Sequence, residues 1–378
     1  MRVLLATRVF WPNLGGIERH VQWLAECLVA RGHTVDIVTL DRAFEDGRQL
    51  PPYDLLNHPG GGSSHVWRIP FAGSTRYPIA PRVAAFVARY DLVHVHAVDF
   101  LADWLVLTRR WHRRPVVLST HGGFFHTDFL PVAKKLWFQT MTRHLVGRVD
   151  GLIYTSEQDR ALFSTLTNRG VLVTTGVALD PWRSLRRQPI RGRFVTVGRI
   201  DSHKGIGALL RALAVYACEE PAFSMEIVGP EVVPGLVATL KAEAAALGLG
   251  DRVHFHGKVD DDTLHDLVRT AELGLWPAEY ESFGISVVET MAAGLPPVLN
   301  DIAAFRFFHD ADDRPNGVLV DFRDAQATAR AIRASQGADS AVASTRARGV
   351  AGCYSWDELV GDVEAVYRDA VRRRGRRG

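Results

Sequence analysis

The chain has 378 residues and a formal net charge of +3, with 47% hydrophobic and 23% charged residues. This length exceeds what one hydrophobic core usually supports, so two domains are expected. The composition excludes a disordered chain, and the small net charge gives no reason to expect nucleic acid as a partner. Three widely spaced cysteines, Cys27, Cys218 and Cys353, favour buried thiols in a reducing compartment.

The N-terminus passes directly into an apolar strand, so the sequence shows no evident signal peptide. No apolar stretch reaches the roughly 18 residues that a membrane-spanning helix needs. We therefore expect a cytoplasmic protein, either free or associated peripherally with the inner face of the cell membrane.

The first elements predict a βαβ unit. Arg2–Ala6 and Thr34–Leu40 are apolar runs typical of buried parallel strands, and Ile17–Arg31 between them has helical spacing. Gly15-Gly16 makes the turn into the helix. The turn lacks the GxGxxG fingerprint, which argues against an NAD-dependent dehydrogenase.

The alternation continues to residue 180 and predicts one parallel-sheet domain over residues 1–180. Residues 41–65 are polar and rich in glycine and proline, which indicates a long excursion or a hairpin. Further strands are predicted at Val66–Ile69, Leu92–His96, Val116–Ser119 and Gly151–Thr155, and helices near Pro81–Ala88, Leu101–Trp111 and Leu136–Val146.

Residues 181–193 lack periodicity and predict an interdomain linker. A second α/β domain is predicted over residues 194–355, followed by a helix over residues 356–371 that returns towards the first domain. A basic tail closes the chain at residues 372–378. The predicted strands of the second domain are Phe194–Val197, Ser224–Val228, Val253–His256, Leu273–Trp276, Pro297–Leu299 and Val318–Val320, and its helices include Ile206–Ala217, Leu236–Leu247 and Asp262–Thr270.

Two loops at predicted strand ends carry groups that suit a phosphorylated ligand. Arg199 and Lys204, in the loop after Val197, can converge on one anion. After Trp276, a glycine-containing turn brings Glu281 and then the start of a short helix that contains Glu289. The backbone N–H groups near Gly284 at that helix start would bind a diphosphate, leaving a carboxylate near each end of a nucleotide sugar.

His121 follows the strand Val116–Ser119 and could donate a hydrogen bond into a cleft. A lone histidine is more often structural, so a functional role for His121 is supported only by its sequence context. No paired aspartates stand at a suitable strand end and no Cys/His metal spacing is present, so Asp260-Asp261-Asp262 is interpreted as a helix start. The sequence therefore predicts no metal site and metal-independent chemistry.

The stretch from Glu281 to Pro296, E-S-F-G-I-S-V-V-E-T-M-A-A-G-L-P, resembles the signature of retaining glycosyltransferases of family 4. Gly198–Gly205 is similar to the G-R-x-x-x-x-K-G segment of the same family. The resemblance covers nearly the whole chain. It implies the GT-B architecture, an α/β fold in which two Rossmann-like doubly wound domains face a deep interdomain cleft.

The resemblance also implies roles for individual residues. Those expected to act in catalysis are His121, Glu281, Arg199 and Lys204. Those expected to bind the nucleotide-sugar donor are Gly15, Gly16, Gly229, Lys258, Phe283, Gly284 and Glu289. Those expected to bind the acceptor are Gly122, Gly123 and His126.

A finer similarity concerns the segments Gly73–Pro81, Ser119–Thr127 and Trp137–Thr140. They resemble the α-1,3-mannosyltransferases of xanthan and acetan assembly, which use GDP-mannose and a polyprenyl-diphosphate-linked cellobiose. The resemblance therefore implies GDP-mannose as donor and a lipid-linked oligosaccharide as acceptor in exopolysaccharide assembly, without a cofactor. Another donor or acceptor within family 4 is the alternative.

Two clusters of basic and aromatic residues predict contact with an anionic membrane surface. One cluster surrounds Lys134, Lys135 and Trp137, and the other contains Trp104, Trp111 and the arginines between residues 109 and 114. The alternative is that these helices are solvated and their aromatic rings pack inward.

Other functions fit the sequence less well. A sugar-nucleotide epimerase would need its own acid and base, and a glycosidase would have no use for the phosphate-binding cations. A non-catalytic nucleotide-sugar-binding protein would bind the donor without turnover.

Overall fold

The computed structural model describes residues 1–13, 15–43, 47–74, 77–122, 143–167, 169–281, 283–310, 315–336 and 340–375. The chain forms two compact units. The first unit comprises residues 1–176 and the C-terminal segment from Trp356, and the second unit comprises Val177–Ser355.

In the described residues the strands are β1 (Arg2–Thr7), β2 (Thr34–Leu40), β3 (Tyr53–Asn57), β4 (Ser63–Ile69), β5 (Ala72–Ser74), β6 (Tyr77–Ile79), β7 (Leu92–His96), β8 (Val116–Ser119), β9 (Gly151–Tyr154), β10 (Gly170–Leu172), β11 (Arg193–Val197), β12 (Ser224–Val228), β13 (Val253–Gly257), β14 (Leu273–Trp276), β15 (Pro297–Asn300) and β16 (Val318–Val320). The α-helices are α1 (Gly16–Ala30), α2 (Ala84–Val87), α3 (Phe100–Leu107), α4 (Arg109–His112), α5 (Arg143–Val146), α6 (Glu157–Phe163), α7 (Asp180–Arg183), α8 (Ile206–Ala217), α9 (Leu236–Ala246), α10 (Asp261–Thr270), α11 (Ile285–Ala292), α12 (Ala303–His309), α13 (Ala325–Gln336), α14 (Ser340–Gly352) and α15 (Trp356–Gly375). Short 3-10 turns lie at Pro81–Val83 and Ser202–Lys204 in the same described part of the chain.

The first unit is built on an eight-stranded sheet with the order β10-β9-β8-β7-β1-β2-β4-β3. All neighbouring pairs are parallel except β3 and β4, an antiparallel hairpin whose first strand and turn lie in the predicted excursion of residues 41–65 and whose second strand continues to Ile69. The strands β1, β7 and β8 are buried almost throughout, because helices cover both faces of a parallel sheet. This burial explains why their apolar runs are continuous.

The second unit has a six-stranded, wholly parallel sheet with the order β13-β12-β11-β14-β15-β16. The strands β12 and β13 are added on one side of β11, and the following strands β14, β15 and β16 are added on its other side. Both sheets are therefore doubly wound, as the sequence predicted. The first unit follows the same rule, since β1 lies between β2 and β7.

The predicted linker at residues 181–193 belongs to the second unit and packs on it. The helix α7 opens the segment, and the Arg187 side chain donates hydrogen bonds to the carbonyl oxygens of Gly294, at 2.6 Å, and Glu272, at 3.1 Å. The Ile190 amide also donates to the Thr270 oxygen. The segment lacks sequence periodicity because its contacts are made by individual side chains and amides.

The C-terminal helix α15 lies in the first unit and extends four residues beyond its predicted end. Its buried stripe, spaced three and four residues apart, packs into the core that α1 and the central strands form. Glu364 accepts hydrogen bonds from Arg31 at 3.0 Å and contacts His33 at 2.8 Å. These contacts join α15 to the end of α1.

Within the described part of the chain, none of the helices is both long and apolar enough to cross a membrane. Several predicted functional residues lie outside the described residues, namely Gly123, His126, Lys134, Lys135 and Trp137.

Candidate active site

The first candidate site lies in the second unit, at the carboxyl ends of β11 and β14. The sheet order reverses at this pair, because the connections that leave the two strands run in opposite directions. Ligands of doubly wound sheets bind at such a switch point. The loop after β11 carries Arg199 and Lys204, and the loop after β14 carries Glu281.

Lys204 and Glu281 are 77 residues apart in sequence, yet the Lys204 Nζ lies 2.5 Å from Glu281 Oε2. About a fifth of each side chain is exposed, so the pair faces solvent from a partly sheltered position. The backbone also joins the two loops, since the Glu279 amide donates to the His203 oxygen at 2.9 Å. The sequence named both charged groups, and the structure brings them into direct contact.

Gly205 permits this close approach of the loops. It adopts the left-handed conformation, with φ +65°, and a Cβ atom at this position would lie 2.2 Å from the Pro277 oxygen. A similar approach occurs on the other side of the site, where a Cβ on Gly229 would lie 1.9 Å from the Gly198 oxygen. Both glycines are required where backbone meets backbone.

The loops surround a shallow pocket that is open to solvent. Cationic, acidic, hydroxyl and apolar groups all contribute to its lining, which includes Arg199, Lys204, Trp276, Pro277, Glu281 and Ser286. Ser286 also donates a hydrogen bond to the Val197 oxygen at 2.7 Å, which ties the first turn of α11 to the end of β11. The pocket therefore combines two cations with a helix N-terminus, an arrangement suited to a diphosphate.

The remaining predicted donor-binding residues of this unit are not part of the pocket lining. Gly284 caps α11 in the left-handed conformation, with φ +99°. Phe283 packs its ring against Phe308 and Tyr354, so it anchors the loop in the core of the unit. Glu289 is buried within α11, with 7% of its surface exposed.

Gly229 and Lys258 follow the neighbouring strands β12 and β13, and the Gly229 amide donates to the Gly257 oxygen at 2.9 Å. The exposed Lys258 side chain is not part of the pocket lining. The donor-binding roles of Phe283, Glu289 and Lys258 stay predictions.

The second candidate site lies in the first unit, at the carboxyl ends of β1, β7 and β8. His121 follows β8 with φ +50°, a conformation that is uncommon for residues other than glycine. Its amide donates to Thr155 Oγ1 at 3.1 Å, and its side-chain Nε2 lies 3.0 Å from His96 Nδ1. The His20 ring packs edge-on against the His121 ring, with 4.6 Å between centroids.

Asp159 is a site residue that the sequence reasoning missed. Its Oδ2 accepts hydrogen bonds from Thr120 Oγ1 at 2.5 Å, Thr155 Oγ1 at 3.0 Å and the Gly122 amide at 3.1 Å. It thereby fixes the loop that carries His121 and Gly122. The sequence signal was limited to the helix start, because Ser156 is the N-cap of α6 and accepts a hydrogen bond from the Asp159 amide.

Gly15 and Gly16 lead into α1, which carries His20. Gly15 has an extended backbone, and a Cβ atom there would meet the Glu18 carboxylate. Their predicted role in donor binding is not tested by these contacts and stays a prediction.

Four histidines at this site are held neutral by burial. Burial lowers the pKa of His94 and His121 to about 3, and it lowers the pKa of His20 and His96 well below 6.5. His94 is fixed between the Tyr367 hydroxyl and Ser119 Oγ, each at 2.7 Å. The nearby histidines add repulsion that further opposes protonation of His20, His94 and His96.

These depressed pKa values predict a pH-dependent stability. Below pH 6.5 the unfolded chain takes up protons while the folded histidines stay neutral until about pH 3, so acidification favours unfolding. We expect His94 alone to lower the free energy of unfolding by about 2 kcal/mol between pH 7.5 and pH 5. Urea unfolding followed by tryptophan fluorescence at the two pH values measures this change.

The variant Glu364→Gln is the control, because it removes a group that titrates in a lower range. The pKa of Glu364 is lowered from its ordinary 4.5 to about 2 by its hydrogen bond with Arg31 and by His33. Its stabilising contribution is therefore present above pH 4.5 and is lost as the pH falls towards 2. Between pH 7.5 and pH 5 the variant should lose stability in parallel with the parent protein. Equal stability of the parent protein at both pH values would contradict the histidine prediction.

Comparisons with known proteins agree with this arrangement. Residues 15–175 match the family described as "Glycosyl transferase 4-like domain", and residues 185–335 match "Glycosyl transferases group 1". The chain is 34% identical to a GDP-mannose:cellobiosyl-diphosphopolyprenol alpha-mannosyltransferase of Xanthomonas campestris, over 98% of this chain and 97% of that protein. It is 30% identical to the protein of the same description from Komagataeibacter xylinus, over 99% and 94% of the two chains.

Solved structures support the fold. A sucrose-phosphate synthase from Thermosynechococcus elongatus is similar with a TM-score of 0.72 at 21% identity, covering 97% of this chain and 98% of that chain. A glycosyltransferase from Rickettsia africae is similar with a TM-score of 0.75 at 18% identity, covering 98% of each chain. The chain therefore belongs to the family 4 glycosyltransferases and has the GT-B fold with two Rossmann-like halves.

Proposed function

We propose that this glycosyltransferase moves mannose from GDP-mannose to cellobiose linked through diphosphate to a polyprenol, forming an α-1,3 linkage with retention at the anomeric carbon. The relatives at 30–34% identity bear the description of that donor and acceptor. The observation that carries the proposal is the pocket at the switch point of the second unit. There Arg199, Lys204 and the start of α11 provide positive charge beside Glu281.

The donor diphosphate would occupy this pocket. Arg199 and Lys204 would stabilise the charge that grows on the departing GDP, because preorganised charges act strongly where water is excluded. Glu281 would orient the sugar and the diphosphate, and Glu289 would bond the ribose. Because Lys204 contacts Glu281, a bound diphosphate would share the Lys204 ammonium group with that carboxylate.

The transfer step forms a bond between an acceptor hydroxyl oxygen and the anomeric carbon and breaks the bond from that carbon to the diphosphate oxygen. The bonding pair leaves with GDP. The departing phosphate oxygen takes the proton of the acceptor hydroxyl on the same face of the sugar, so no separate carboxylate base is needed. His121 would donate a hydrogen bond to the donor sugar.

We also propose that the reaction is metal-independent, since two side-chain cations and a helix N-terminus can neutralise a diphosphate. Activity should then persist in a chelator after exhaustive dialysis. A strict requirement for added Mg²⁺ or Mn²⁺ would overturn this part of the proposal.

The test of the whole proposal is turnover. The purified chain is incubated with radiolabelled GDP-mannose and polyprenyl-diphosphate-cellobiose, with UDP-glucose and GDP-glucose as alternative donors. A labelled trisaccharide-lipid from GDP-mannose alone supports the proposal, and linkage analysis of the product tests the α-1,3 bond. Transfer from another donor would retain the glycosyltransferase and reject the proposed specificity. Donor binding without turnover would favour the non-catalytic alternative.

A lipid-linked acceptor requires access to a membrane surface, and the first unit carries a suitable patch. Trp111 on α4 is 80% exposed, and Leu107 on α3 is 51% exposed. The end of α15 lies beside them, because the Arg374 side chain donates to the Arg109 oxygen at 2.7 Å. We define the Trp111 surface as these two apolar residues with the surrounding arginines, Arg109, Arg110, Arg113, Arg372, Arg373 and Arg374.

Trp104, which the sequence grouped with this cluster, packs inward. Its Nε1 donates to the Pro81 oxygen at 3.0 Å, and its ring stacks on Phe100. Trp111 is therefore the residue of the cluster that can enter a bilayer interface, and the exposed Arg110 and Arg113 beside it suit anionic headgroups. We propose that the Trp111 surface holds the enzyme on anionic membranes, and that the enzyme is cytoplasmic and peripherally bound.

Replacing Trp111 by alanine is expected to weaken binding to vesicles that contain phosphatidylglycerol by roughly 10-fold, since a buried aromatic ring contributes at least about 1.4 kcal/mol. Sedimentation with vesicles of rising phosphatidylglycerol content measures the effect. Val342→Ala is the control, because Val342 is 58% exposed and belongs to the second unit, so it is not part of the Trp111 surface. Equal binding of the two variants, or no binding of the parent protein, would contradict the prediction.

A further inference from the structure

The inference concerns the hydrogen bond between His96 Nδ1 and His121 Nε2, which are 3.0 Å apart. Both imidazoles are neutral at neutral pH, because burial lowers the pKa of each. A neutral imidazole has one N–H group and one nitrogen lone pair. One ring of the pair therefore donates in this bond and the other accepts, and the choice determines which proton each outer nitrogen carries.

The two outer nitrogens always have opposite character. If His96 donates from Nδ1, then His96 Nε2 is an acceptor and His121 Nδ1 carries a proton. If His121 donates from Nε2, then His121 Nδ1 is an acceptor and His96 Nε2 carries a proton. The tautomer of His96 thus sets whether the outer nitrogen of His121 donates or accepts a hydrogen bond.

The surroundings of His96 favour the first arrangement. His96 is fully buried, its ring lies against His94 with 4.1 Å between centroids, and its Nε2 atom has no hydrogen-bond partner in the described part of the chain. Orphaned buried N–H groups are rarer in proteins than buried acceptors that lack a donor. A lone pair on His96 Nε2 is therefore favoured over a proton there, which makes His96 the donor to His121.

The neighbours of His121 fix the position of its ring as well as its tautomer. Its backbone is held in the left-handed region by the Thr155 hydrogen bond, and its ring is bounded by His20 and His96. Among the described residues, no hydrogen-bond partner is assigned to its Nδ1 atom. That atom can donate to a ligand hydroxyl at the carboxyl edge of the sheet.

We propose that His96 is a positioning residue of the transfer reaction, whose Nδ1–H holds His121 in the tautomer that donates a hydrogen bond from Nδ1 to the donor sugar. This inference rests on the proposed function for the identity of the sugar. The tautomer itself is independent of that function. His96 need not touch the substrate.

A metal site is the other chemistry that three neighbouring histidines allow. His20, His96 and His121 each offer a nitrogen, and these atoms lie within 4.8 Å of one another. A tridentate site would require an unprotonated nitrogen on each ring at the point where the rings face one another. The hydrogen bond places a proton on one of the two facing nitrogens, His96 Nδ1 and His121 Nε2, so this arrangement favours hydrogen bonding over metal coordination.

Two replacements of His96 separate its two nitrogens. The side-chain amide of asparagine reaches the position of Nδ1, whereas that of glutamine reaches further, towards the position of Nε2. His96→Asn should keep a donor to His121 Nε2 and retain kcat within roughly threefold. His96→Gln should lose that donor and lower kcat roughly 10- to 100-fold, with a smaller change in KM, because alignment of the reacting groups is lost.

A double-variant comparison tests whether the effect passes through His121. Asparagine at position 121 keeps a donor near Nδ1 and has no tautomers. In the His121→Asn background, His96→Gln should therefore cause little further loss of kcat. Full additivity of the two losses would show that His96 acts as a structural residue and would overturn the proposal.

Nitrogen-15 NMR of the histidine rings, recorded on the substrate-free enzyme near pH 7.5, reads the tautomer directly. We expect His121 to be protonated at Nδ1 and His96 also at Nδ1, with His121 changing its tautomer distribution in His96→Gln. Protonation of His121 at Nε2, or stoichiometric zinc binding by the parent protein that His96→Asn abolishes, would overturn the proposal. If no mannosyl transfer occurs, the proposed function fails while the NMR result still decides the tautomer.

Discussion

Replacing Lys204 by alanine is expected to reduce kcat roughly 100- to 1,000-fold, the usual effect of removing one group that stabilises the charge of a transition state. Lys204 is the cation at the switch point whose ammonium group contacts Glu281 at 2.5 Å. Its loss removes charge from the departing diphosphate and leaves the Glu281 carboxylate without this partner. Initial-rate measurements with saturating donor and acceptor give the change in kcat.

Lys241→Ala is the matched control for Lys204→Ala. Lys241 is an exposed lysine of the same unit, on α9, and its ammonium group lies over the Phe255 ring at 6.0 Å from the centroid. This variant should keep the parent activity. A Lys204→Ala enzyme with more than a tenth of the parent kcat would remove Lys204 from the proposed mechanism.

The contact between Lys204 and Glu281 also predicts that the activity losses caused by replacing each residue are coupled. Glu281→Gln removes the carboxylate charge and keeps a similar shape. Because Lys204 and Glu281 contact each other, the combined variant should lose less activity than the product of the two single losses. Independent effects would indicate that Lys204 and Glu281 do not act together during turnover.

Replacing Gly205 by alanine is expected to reduce both stability and activity. The left-handed backbone costs roughly 1 kcal/mol for alanine, and the contact of 2.2 Å between the new Cβ and the Pro277 oxygen adds roughly 1–3 kcal/mol of strain. Relief of that strain requires the loops after β11 and β14 to separate. Since these loops carry Lys204 and Glu281, kcat/KM should fall along with the free energy of unfolding.

Gly248→Ala measures the loss of stability that comes from the left-handed backbone alone. Gly248 has φ +73°, and a Cβ atom at this position would meet nothing within 4 Å. This variant should lose only about 1 kcal/mol and keep its activity. Urea unfolding and initial rates measured on both variants make the comparison. Equal losses for the two would mean that the close approach of the loops is not a constraint.

Neither site depends on one loop alone. In the second unit the cations follow β11 and the carboxylate follows β14, while in the first unit the clustered histidines come from α1, β7 and the end of β8. A doubly wound sheet brings such distant segments to one edge because its parallel strands all end there. The order of the strands therefore determines which side chains meet at each site.

The sequence determined most of the buried elements. Thr34–Leu40, Leu92–His96, Ser224–Val228 and Leu273–Trp276 were predicted with the bounds that the structure has. Strands of a parallel sheet are covered on both faces, so their apolar runs are continuous and easily read. By contrast, β3 was not separated from its loop, because its side chains alternate between exposed and half-buried positions at the edge of the sheet.

The motifs also named Arg199, Lys204, Glu281 and His121, since loops after buried strands are where ligands bind. Only the tertiary structure decided which of these groups meet. It paired Lys204 with Glu281, placed Asp159 under the His121 loop and turned Trp104 inward while Trp111 stayed exposed. Sequence patterns report local burial and backbone preference, whereas contacts between residues far apart in the chain depend on strand order and on side-chain direction. The hydrogen bond between His96 and His121 depends on strand order and on side-chain direction alike.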